Sequence, residues 1–308
     1  MSTTFTPSNS YRHYNLPIVH PYIAFFGDNW TISNKVHTHM HFHNCMELGY
    51  CKTGSGTLFV ENNSFSFQAE DYIVIPENTA HKSQAASEES CWEYIYFDPY
   101  LILQELLPPQ VLNSILPDLL THFGVIRADV NPELHFLMEK IFEELHKKKA
   151  YYQDSLKGTF LSFIMLITRN QYLKHSVNSD FQWLYSAIGY IRKNYQRKLS
   201  IAEIAQTCCS LSESHFRKQF RETMHISPLD YINHLRIRIA CQTIYKNEKS
   251  INEIARDVGF TTLSSFNRNF RALLGSSPSE WKKKQLTENN VIEIRTLDEE
   301  AVQGAFVL

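Results

Sequence analysis

The sequence lacks any long apolar run. A membrane-spanning helix needs about 18 or more consecutive apolar residues, and the longest candidate here, 160–168, is much shorter. The polar N-terminus contains no apolar segment of the kind that a secretory signal requires. Glycine and proline number only 10 and 11 in 308 residues, which excludes collagen-like and low-complexity chains. These absences predict a globular, cytoplasmic protein.

Cysteine spacings typical of zinc sites and disulfide frameworks are also missing. None of the six cysteines forms a Cys-x-x-Cys pair, and the adjacent Cys208 and Cys209 are poorly placed to bridge one another. We therefore expect reduced thiols and no zinc site built from cysteine.

An excess of charge of either sign is missing from the chain as a whole. Lys and Arg total 30 and Asp and Glu total 32, a net charge of −2. Residues 180–286, however, carry 17 Lys and Arg against 9 Asp and Glu, a net of +8, whereas residues 1–179 carry −6 and residues 287–308 carry −4. A basic segment joined to acidic ones is typical of a protein with a domain that binds the phosphates of nucleic acid.

The basic segment contains an internal repeat. Residues 201–231 match residues 251–281 at an offset of 50, with ten identities in 31 positions. In each copy a serine, Ser200 or Ser250, precedes an apolar helical pattern and is followed three residues later by glutamate, as at a helix N-terminus. A second helical pattern follows after a short turn. This arrangement predicts two helix-turn-helix units, in which the second helix enters the DNA major groove.

The outward face of each second helix carries the residue types that read DNA. Phe216 and Phe220 mark the inward face of the first, and Phe266 and Phe270 mark that of the second. Arginine, lysine, asparagine and serine side chains contact base edges and phosphates. The predicted DNA-binding residues are Ser214, Arg217, Lys218, Arg221, Ser264, Ser265, Asn267, Arg268 and Arg271. A single such face is usually only solvated, but two at a fixed spacing favour double-stranded promoter DNA as partner.

A helical pattern between the units, residues 228–246, predicts a continuous connecting helix with Arg236 and Arg238 exposed. Such a helix would hold the two helix-turn-helix units at a fixed distance, about one DNA turn (~34 Å) apart.

The second copy resembles the signature of the AraC/XylS family of bacterial transcription regulators. Its segment GFTTLSSFNRNFRALLGSSPSEW begins at Gly259. By position, the resemblance implies base contacts for Ser214, Arg217, Lys218, Ser264, Asn267 and Arg268. The first copy departs from the family at Cys209 and His225, where glycine is common and a positive φ is wanted.

Residues 20–100 show short strand-like runs typical of a sandwich or small barrel. The predicted strands are 47–52, 56–61, 64–67, 72–76 and 92–97, and Asn62-Asn63 is the predicted turn of a hairpin.

A histidine-rich stretch within this region resembles the first motif of the cupin superfamily, with His41, His43 and Glu47 at the motif spacing. His81 falls in a segment similar to the second motif, although Glu70 and Asn78 replace its usual glycines. The resemblance implies a divalent first-row metal held by His41, His43, Glu47 and His81. The same side chains could instead bond to one another or to a small effector at the barrel mouth. His37 and His39 are expected to flank the set.

The middle of the chain predicts two amphipathic helices, 132–149 and 151–174, after a break at Pro108, Pro109 and Pro117. In the family that this chain resembles, such a pair packs on the barrel and forms a homodimer contact.

The resulting fold class is α+β and multidomain, a cupin-like barrel followed by an all-α double helix-turn-helix domain. The expected segments are an effector-binding barrel at 1–105, a helical dimerisation segment at 106–175, a linker at 176–180, a DNA-binding domain at 181–286 and an acidic tail at 287–308.

The function that follows is a bacterial, cytoplasmic transcription regulator and not an enzyme. Its barrel would sense a small effector, a sugar or sugar derivative by family resemblance, and it would contact RNA polymerase if it activates. Two alternatives stay open: a metal-dependent cupin enzyme fused to a DNA-binding module, and a regulator that needs no ligand.

Overall fold

The structure is a computed structural model that describes residues 10–12, 14, 16–17, 19–35, 40–86, 88–175, 182–246 and 249–287. The described residues up to His175 form one compact unit, and those from Gln182 onward form a second. His37, His39, the expected linker and the tail from 288 onward lie outside the described residues. Among the helices of the described segments, none is both long and apolar enough to cross a bilayer.

The first unit begins with β-strands arranged in two sheets. The strands are β1 Ser10–Arg12, β2 Tyr22–Phe25, β3 Thr31–Ser33, β4 His41–His43, β5 Met46–Thr53, β6 Ser55–Val60, β7 Asn63–Gln68, β8 Tyr72–Ile75, β9 His81–Ala85, β10 Glu89–Phe97 and β11 Gly124–Ile126. One sheet has the order β1-β4-β9-β6-β7. The other has the order β11-β8-β5-β10-β2, and β3 also pairs with β10.

A shared apolar core joins the inner faces of the two sheets. Leu58 and Phe67 from one sheet pack with Ile73, Ile75 and Trp92 from the other, and all five are fully or nearly fully buried. Because successive side chains of a strand point to opposite faces, alternate residues of the same strands remain for the outer face. This arrangement confirms the expected barrel.

Helices cover the outer face of the second sheet, so its strands are buried on both sides. The helices are α1 Pro99–Leu103, α2 Pro109–Leu119, α3 Pro132–Lys147 and α4 Tyr152–Ile167. Apolar residues of α3 and α4 join Met46, Leu48, Val74 and Phe97 in one core. The fold class predicted for this half is therefore confirmed.

Three details of the first unit differ from the sequence prediction. The β6–β7 hairpin turns at Glu61-Asn62 and not at Asn62-Asn63, because Val60 pairs with Asn63 and Glu61 adopts φ 52°. Helix α4 ends at Ile167 and not near 174, where Asn170 instead accepts backbone hydrogen bonds from Tyr172 and Leu173. Pro117 lies inside α2, two residues before its end, and so does not break the chain.

The second unit is entirely helical and contains the repeat. Its helices are α5 Gln182–Asn194, α6 Ile201–Ile204, α7 Glu213–Met224, α8 Pro228–Lys246, α9 Ile251–Asp257, α10 Leu263–Leu274 and α11 Pro278–Thr287. The expected connecting helix is α8, whose 19 residues run without interruption for about 28 Å. Helices α6–α7 and α9–α10 are the two helix-turn-helix units.

The turns of the two units differ. After α6 the chain forms a π turn, Ala205–Cys209, and the left-handed residue is Ser210, with φ 52°. In the second unit the left-handed residue is Gly259, with φ 94°. The expectation of a positive φ at Cys209 is therefore wrong by one residue, because the wider π turn delays the reversal. His225 does adopt a positive φ of 54°, as Gly275 does in the second unit with 72°.

Candidate functional sites

Helix α7 presents the first predicted reading face. The Ser212 hydroxyl caps the helix by accepting a hydrogen bond from the backbone N–H of His215. Phe216 and Phe220 are completely buried, which fixes the rotation of the helix. All four predicted residues on the opposite side are exposed: Ser214, Arg217, Lys218 and Arg221.

Helix α10 repeats this arrangement in the second unit. The Thr262 hydroxyl accepts a hydrogen bond from the backbone N–H of Ser265, and Phe266 and Phe270 are completely buried. Ser264, Asn267, Arg268 and Arg271 are exposed. Ser265 is half-buried, so it is less accessible than the other predicted residues.

The two reading faces differ in charge. On α7, Arg217 pairs with Glu213 and Lys218 lies 3.8 Å from Glu222. Helix α10 carries no acidic residue. Neither Arg268 nor Arg271 forms an ion pair with another described residue, so both guanidinium groups are available to DNA.

Arg236 of the connecting helix is a correction to the sequence prediction. It is only 8% exposed, and its guanidinium donates hydrogen bonds to the carbonyls of Tyr195 (2.8 Å) and Arg197 (2.8 Å). It also lies over the ring of Phe260. Arg236 therefore joins the end of α5 to the connecting helix and the second unit, and it is not a free DNA contact. A buried arginine with a structural role cannot be distinguished from an exposed one by helical spacing alone.

The histidine cluster forms where three strands meet in the barrel. His41 and His43 lie on β4, Glu47 on β5 and His81 on β9, and His41 pairs directly with His81 across the two strands. One ligand-type atom from each of the four residues lies within 4.8 Å of the others. His43, Glu47 and His81 are buried, and His41 is half-buried. The structure thus brings together all four residues implied by the cupin resemblance.

Main-chain carbonyls define the tautomers of two of these histidines. Nδ1 of His43 lies 2.9 Å from the carbonyl of Cys45, and Nδ1 of His81 lies 2.8 Å from the carbonyl of Thr79. Because a carbonyl can only accept, each Nδ1 carries the hydrogen and donates it. When these imidazoles are neutral, Nε2 of each ring is therefore bare, that is, it carries a lone pair and no hydrogen.

The bare nitrogens converge on one carboxylate oxygen. Nε2 of His43 lies 2.8 Å and Nε2 of His81 lies 3.3 Å from Oε2 of Glu47. Nε2 of His81 is a buried atom without a geometrically sound hydrogen bond, despite its proximity to the carboxylate. Two nitrogen lone pairs facing a carboxylate oxygen repel one another unless a proton or a cation lies among them.

Three of the four residues in the cluster have shifted pKa values. Burial lowers the pKa of His41 well below its ordinary value, and the neighbouring His81 contributes in the same direction. Burial also lowers the pKa of His43, against the opposing effect of Glu47. For Glu47, burial acts to raise the pKa, but the surrounding histidines bring it well below its ordinary value. These directions favour neutral imidazoles at His41 and His43 and an ionised carboxylate at Glu47, which are the ligand forms that a metal requires.

These features fit a first-row divalent metal. Two imidazoles are oriented by outer hydrogen bonds to carbonyls, which is the usual support for metal-ligating histidine. The donor set of three nitrogens and one oxygen suits Mn, Fe, Ni, Cu or Zn.

An aromatic wall beside the cluster was missed by the sequence analysis. The ring of Tyr14 stacks on that of Tyr96, with centroids 4.3 Å apart, and both rings contact His43 edge-on. Phe25 packs against Tyr96 and Trp30. The alternating aromatics of β10 were the available signal, but Tyr14 precedes the predicted strands. The wall places flat apolar surface next to the polar cluster, as small-molecule sites commonly do.

Comparison with known proteins gives two family-model matches. Residues 22–158 match an AraC-like ligand-binding domain, and residues 207–284 match a helix-turn-helix domain. The first match contains the histidine cluster, and the second contains both α7 and α10.

Two named transcription regulators match this chain over most of their length. The chain is 21% identical to the raffinose operon transcriptional regulatory protein RafR of Pediococcus pentosaceus, covering 85% of this chain and 93% of the relative. It is 29% identical to the probable transcriptional regulator LumQ of Photobacterium leiognathi, covering 79% and 91%. Among solved structures, ToxT of Vibrio cholerae with a bound unsaturated fatty acid matches with 17% identity and a TM-score of 0.36, covering 85% and 93%. The matched relatives are regulators of transcription and not enzymes.

Proposed function

Because this chain belongs to the AraC family of DNA-binding transcription regulators and has an N-terminal ligand-binding domain, we propose that a small effector bound in the barrel alters how α7 and α10 engage promoter DNA. The chain is not an enzyme, as its relatives are not. The observation that carries the proposal is the pair of exposed basic faces on α7 and α10, each oriented by two buried phenylalanines. An effector can act in this way only if it binds two states of the protein with different affinity.

The residues proposed to contact DNA are those exposed on the two reading helices. We assign base contacts to Arg217, Lys218, Asn267 and Arg268, because arginine and lysine pair with guanine and asparagine pairs with adenine. We assign base or phosphate contacts to the serines and to Arg221 and Arg271. The half-buried Ser265 is the weakest member of the set.

In the barrel, the proposed occupant of the histidine cluster is a first-row divalent metal. Nε2 of His43, Nε2 of His81, the carboxylate of Glu47 and a ring nitrogen of His41 would hold it. Such a metal would supply a Lewis-acidic position for oxygen atoms of an effector. The proposal is supported by the two bare nitrogens that converge on Oε2 of Glu47.

Metal analysis of the purified full chain tests this assignment. We expect about one metal ion per chain in the wild type and a loss of the metal in His81→Ala. The matched control is His135→Ala, which removes a half-buried histidine of α3 that hydrogen-bonds the carbonyl of Glu70. Wild-type protein that takes up no stoichiometric metal from Mn, Fe, Ni, Cu or Zn would refute the metal assignment.

For the effector, we propose a sugar or sugar derivative. RafR is named for the raffinose operon, and the aromatic wall beside the polar cluster suits a ligand with both apolar and hydroxyl-bearing faces. A screen of sugars for thermal stabilisation tests this proposal, because a ligand of the native state raises Tm by mass action. Fatty acids belong in the same screen. Stabilisation by fatty acids alone would contradict the sugar assignment, and DNA affinity that no ligand changes would favour a ligand-independent regulator.

We further propose a homodimer that contacts promoter DNA in the bacterial cytoplasm, and a contact with RNA polymerase if the protein activates. Two protomers would pair through the α3–α4 hairpin, where α4 has the exposed Gly158 and the half-exposed Met165. Pairing doubles the number of half-sites that one assembly reads. Sedimentation of the wild type and of Met165→Glu tests the dimer, and a wild type that is monomeric at micromolar concentration would refute it.

A further inference from the structure

The N-terminal turn of α7 carries a close ion pair that the DNA-reading assignment does not use. Glu213 is the first residue of α7, and Arg217 lies one turn later. Oε1 of Glu213 lies 2.8 Å from Nε and 2.6 Å from Nη2 of Arg217. Both side chains are more than 40% exposed, 42% for Glu213 and 45% for Arg217. The pair is thus close in distance and open to solvent in the first turn of the helix that is expected to enter the groove.

The pairing leaves the base-reading groups of both side chains free. Arg217 uses Nε and one side of Nη2 on Glu213, whereas Nη1 and the outer hydrogen of Nη2 bond to no described residue. Those donors form the end-on fork that binds O6 and N7 of guanine. On Glu213, only Oε1 is engaged, so Oε2 remains as an acceptor. A carboxylate oxygen in the major groove matches the N4 amino group of cytosine.

Helix stabilisation alone is a weak explanation of the pair. An exposed ion pair of this spacing contributes only about 0.2–0.5 kcal/mol to a helix. A carboxylate near DNA also repels the phosphates, which opposes non-specific affinity. The same helix offers a comparison, since Lys218 and Glu222 have the same spacing but lie 3.8 Å apart, with 74% and 64% of their side chains exposed.

We infer that Glu213 and Arg217 act as one specificity-determining unit, with Arg217 reading a guanine and Glu213 accepting a hydrogen bond from the cytosine of a neighbouring base pair. Glu213 also acts as a positioning residue, because its bonds to Nε and Nη2 aim the free fork of Arg217. The inference rests on the proposed DNA-reading role of α7. The inference adds Glu213 to the DNA-reading residues of α7 and a cytosine to the bases that they read. It also explains why an acidic side chain lies in the first turn of a helix whose exposed face is basic.

The test compares Glu213→Ala with the matched control Glu222→Ala in the full chain. Each variant removes one carboxylate from α7, but only the first touches the close pair. The wild-type motif is first selected from random duplexes. Dissociation constants are then measured for duplexes that carry every single base change, with Arg217→Ala identifying the guanine that Arg217 reads.

We expect Glu213→Ala to reduce the preference for the cytosine beside that guanine by about fivefold or more, the lower end of a base contact. Glu222→Ala should keep both preferences. The inference is overturned if Glu213→Ala leaves the cytosine preference intact, or if both variants merely tighten binding to all duplexes alike. If the wild type selects no motif, or Arg217→Ala leaves the motif unchanged, the DNA-reading role of α7 itself fails and the inference fails with it.

Discussion

At the scale of single residues, two backbone carbonyls orient the histidines of the barrel site. The carbonyls of Cys45 and Thr79 accept hydrogen bonds from Nδ1 of His43 and His81, so that the Nε2 atoms, which carry no hydrogen, face Glu47. The cupin-like spacing of His41, His43 and Glu47 was sufficient to predict that these side chains lie together with His81. The tautomers could not be predicted, because they depend on where loop carbonyls lie after folding.

A buried histidine outside the cluster gives a pH prediction. Burial, together with the nearby Lys157, lowers the pKa of His20 from 6.5 to about 4. The unfolded chain therefore binds a proton at His20 that the folded chain excludes, so this contribution to stability is present above pH 6.5 and is lost as the pH falls toward 4. By pH 4 the loss amounts to about 3 kcal/mol.

Urea unfolding between pH 7 and 4 tests this linkage. His20→Leu should show a smaller loss of stability over that range than the wild type, and His215→Leu, at an exposed position on α7, controls for removal of an imidazole. An unchanged pH dependence in His20→Leu would show that His20 does not carry the effect.

A second residue-scale prediction concerns Arg268. Its guanidinium is exposed on α10 and makes no ion pair with another described residue. Arg268→Ala should weaken binding to the preferred duplex by about 1–3 kcal/mol and relax specificity at one base position. Binding curves on single-base variants of the site provide the measurement. An equal loss on all sequences would mean that Arg268 contacts only phosphate.

At the scale of elements, the repeat predicted the two helix-turn-helix units but not their difference. Ten identities at a fixed offset predicted α6–α7 and α9–α10. The π turn at Ala205–Cys209 was not predictable, because the first copy has the same apolar spacing as the second, which forms no π turn. The end of α4 was also missed, since the predicted helix ran through the polar residues 168–171, whereas Asn170 accepts backbone hydrogen bonds from Tyr172 and Leu173 beyond the helix end.

The turn of the second unit gives an element-scale prediction. Gly259 has φ 94°, and a Cβ there would lie 2.5 Å from the carbonyl oxygen of Tyr195. Gly259→Ala should therefore lower the free energy of unfolding by at least about 2 kcal/mol.

The matched control is Gly189→Ala in α5, where an added Cβ meets nothing within 4 Å. Alanine at that exposed helical position should raise stability by about 0.5–1 kcal/mol. Chemical denaturation of the full-length variants decides the comparison. Equal changes in the free energy of unfolding at the two glycines would contradict a close approach of the Tyr195 carbonyl to Gly259.

At the scale of the whole molecule, the net charge of −2 is an average over segments of opposite sign. The net +8 of residues 180–286 coincides with the helical unit that holds both reading helices. Composition and periodicity predicted this much of the architecture. They could not predict the aromatic wall, because Tyr14, Phe25 and Tyr96 meet only when distant strands pair.

The continuous helix α8 gives a prediction about DNA geometry. Because α8 connects the two helix-turn-helix units without a break, we expect their half-sites to lie about one DNA turn, 10–10.5 base pairs, apart. Inserting five base pairs between the half-sites should cost as much affinity as deleting one of them, since the second half-site then faces the opposite side. Unchanged affinity for the extended site would mean that the units move independently.

The central claim is that the full chain binds DNA in a sequence-specific manner. Its most direct test is the equilibrium binding of the full chain to the selected duplex and to a shuffled duplex of the same composition, over a range of salt concentrations. We expect binding to the selected duplex to be at least about a thousandfold tighter, and both affinities to fall steeply with salt. Equal affinity for the two duplexes, or affinity that does not respond to salt, would contradict the account.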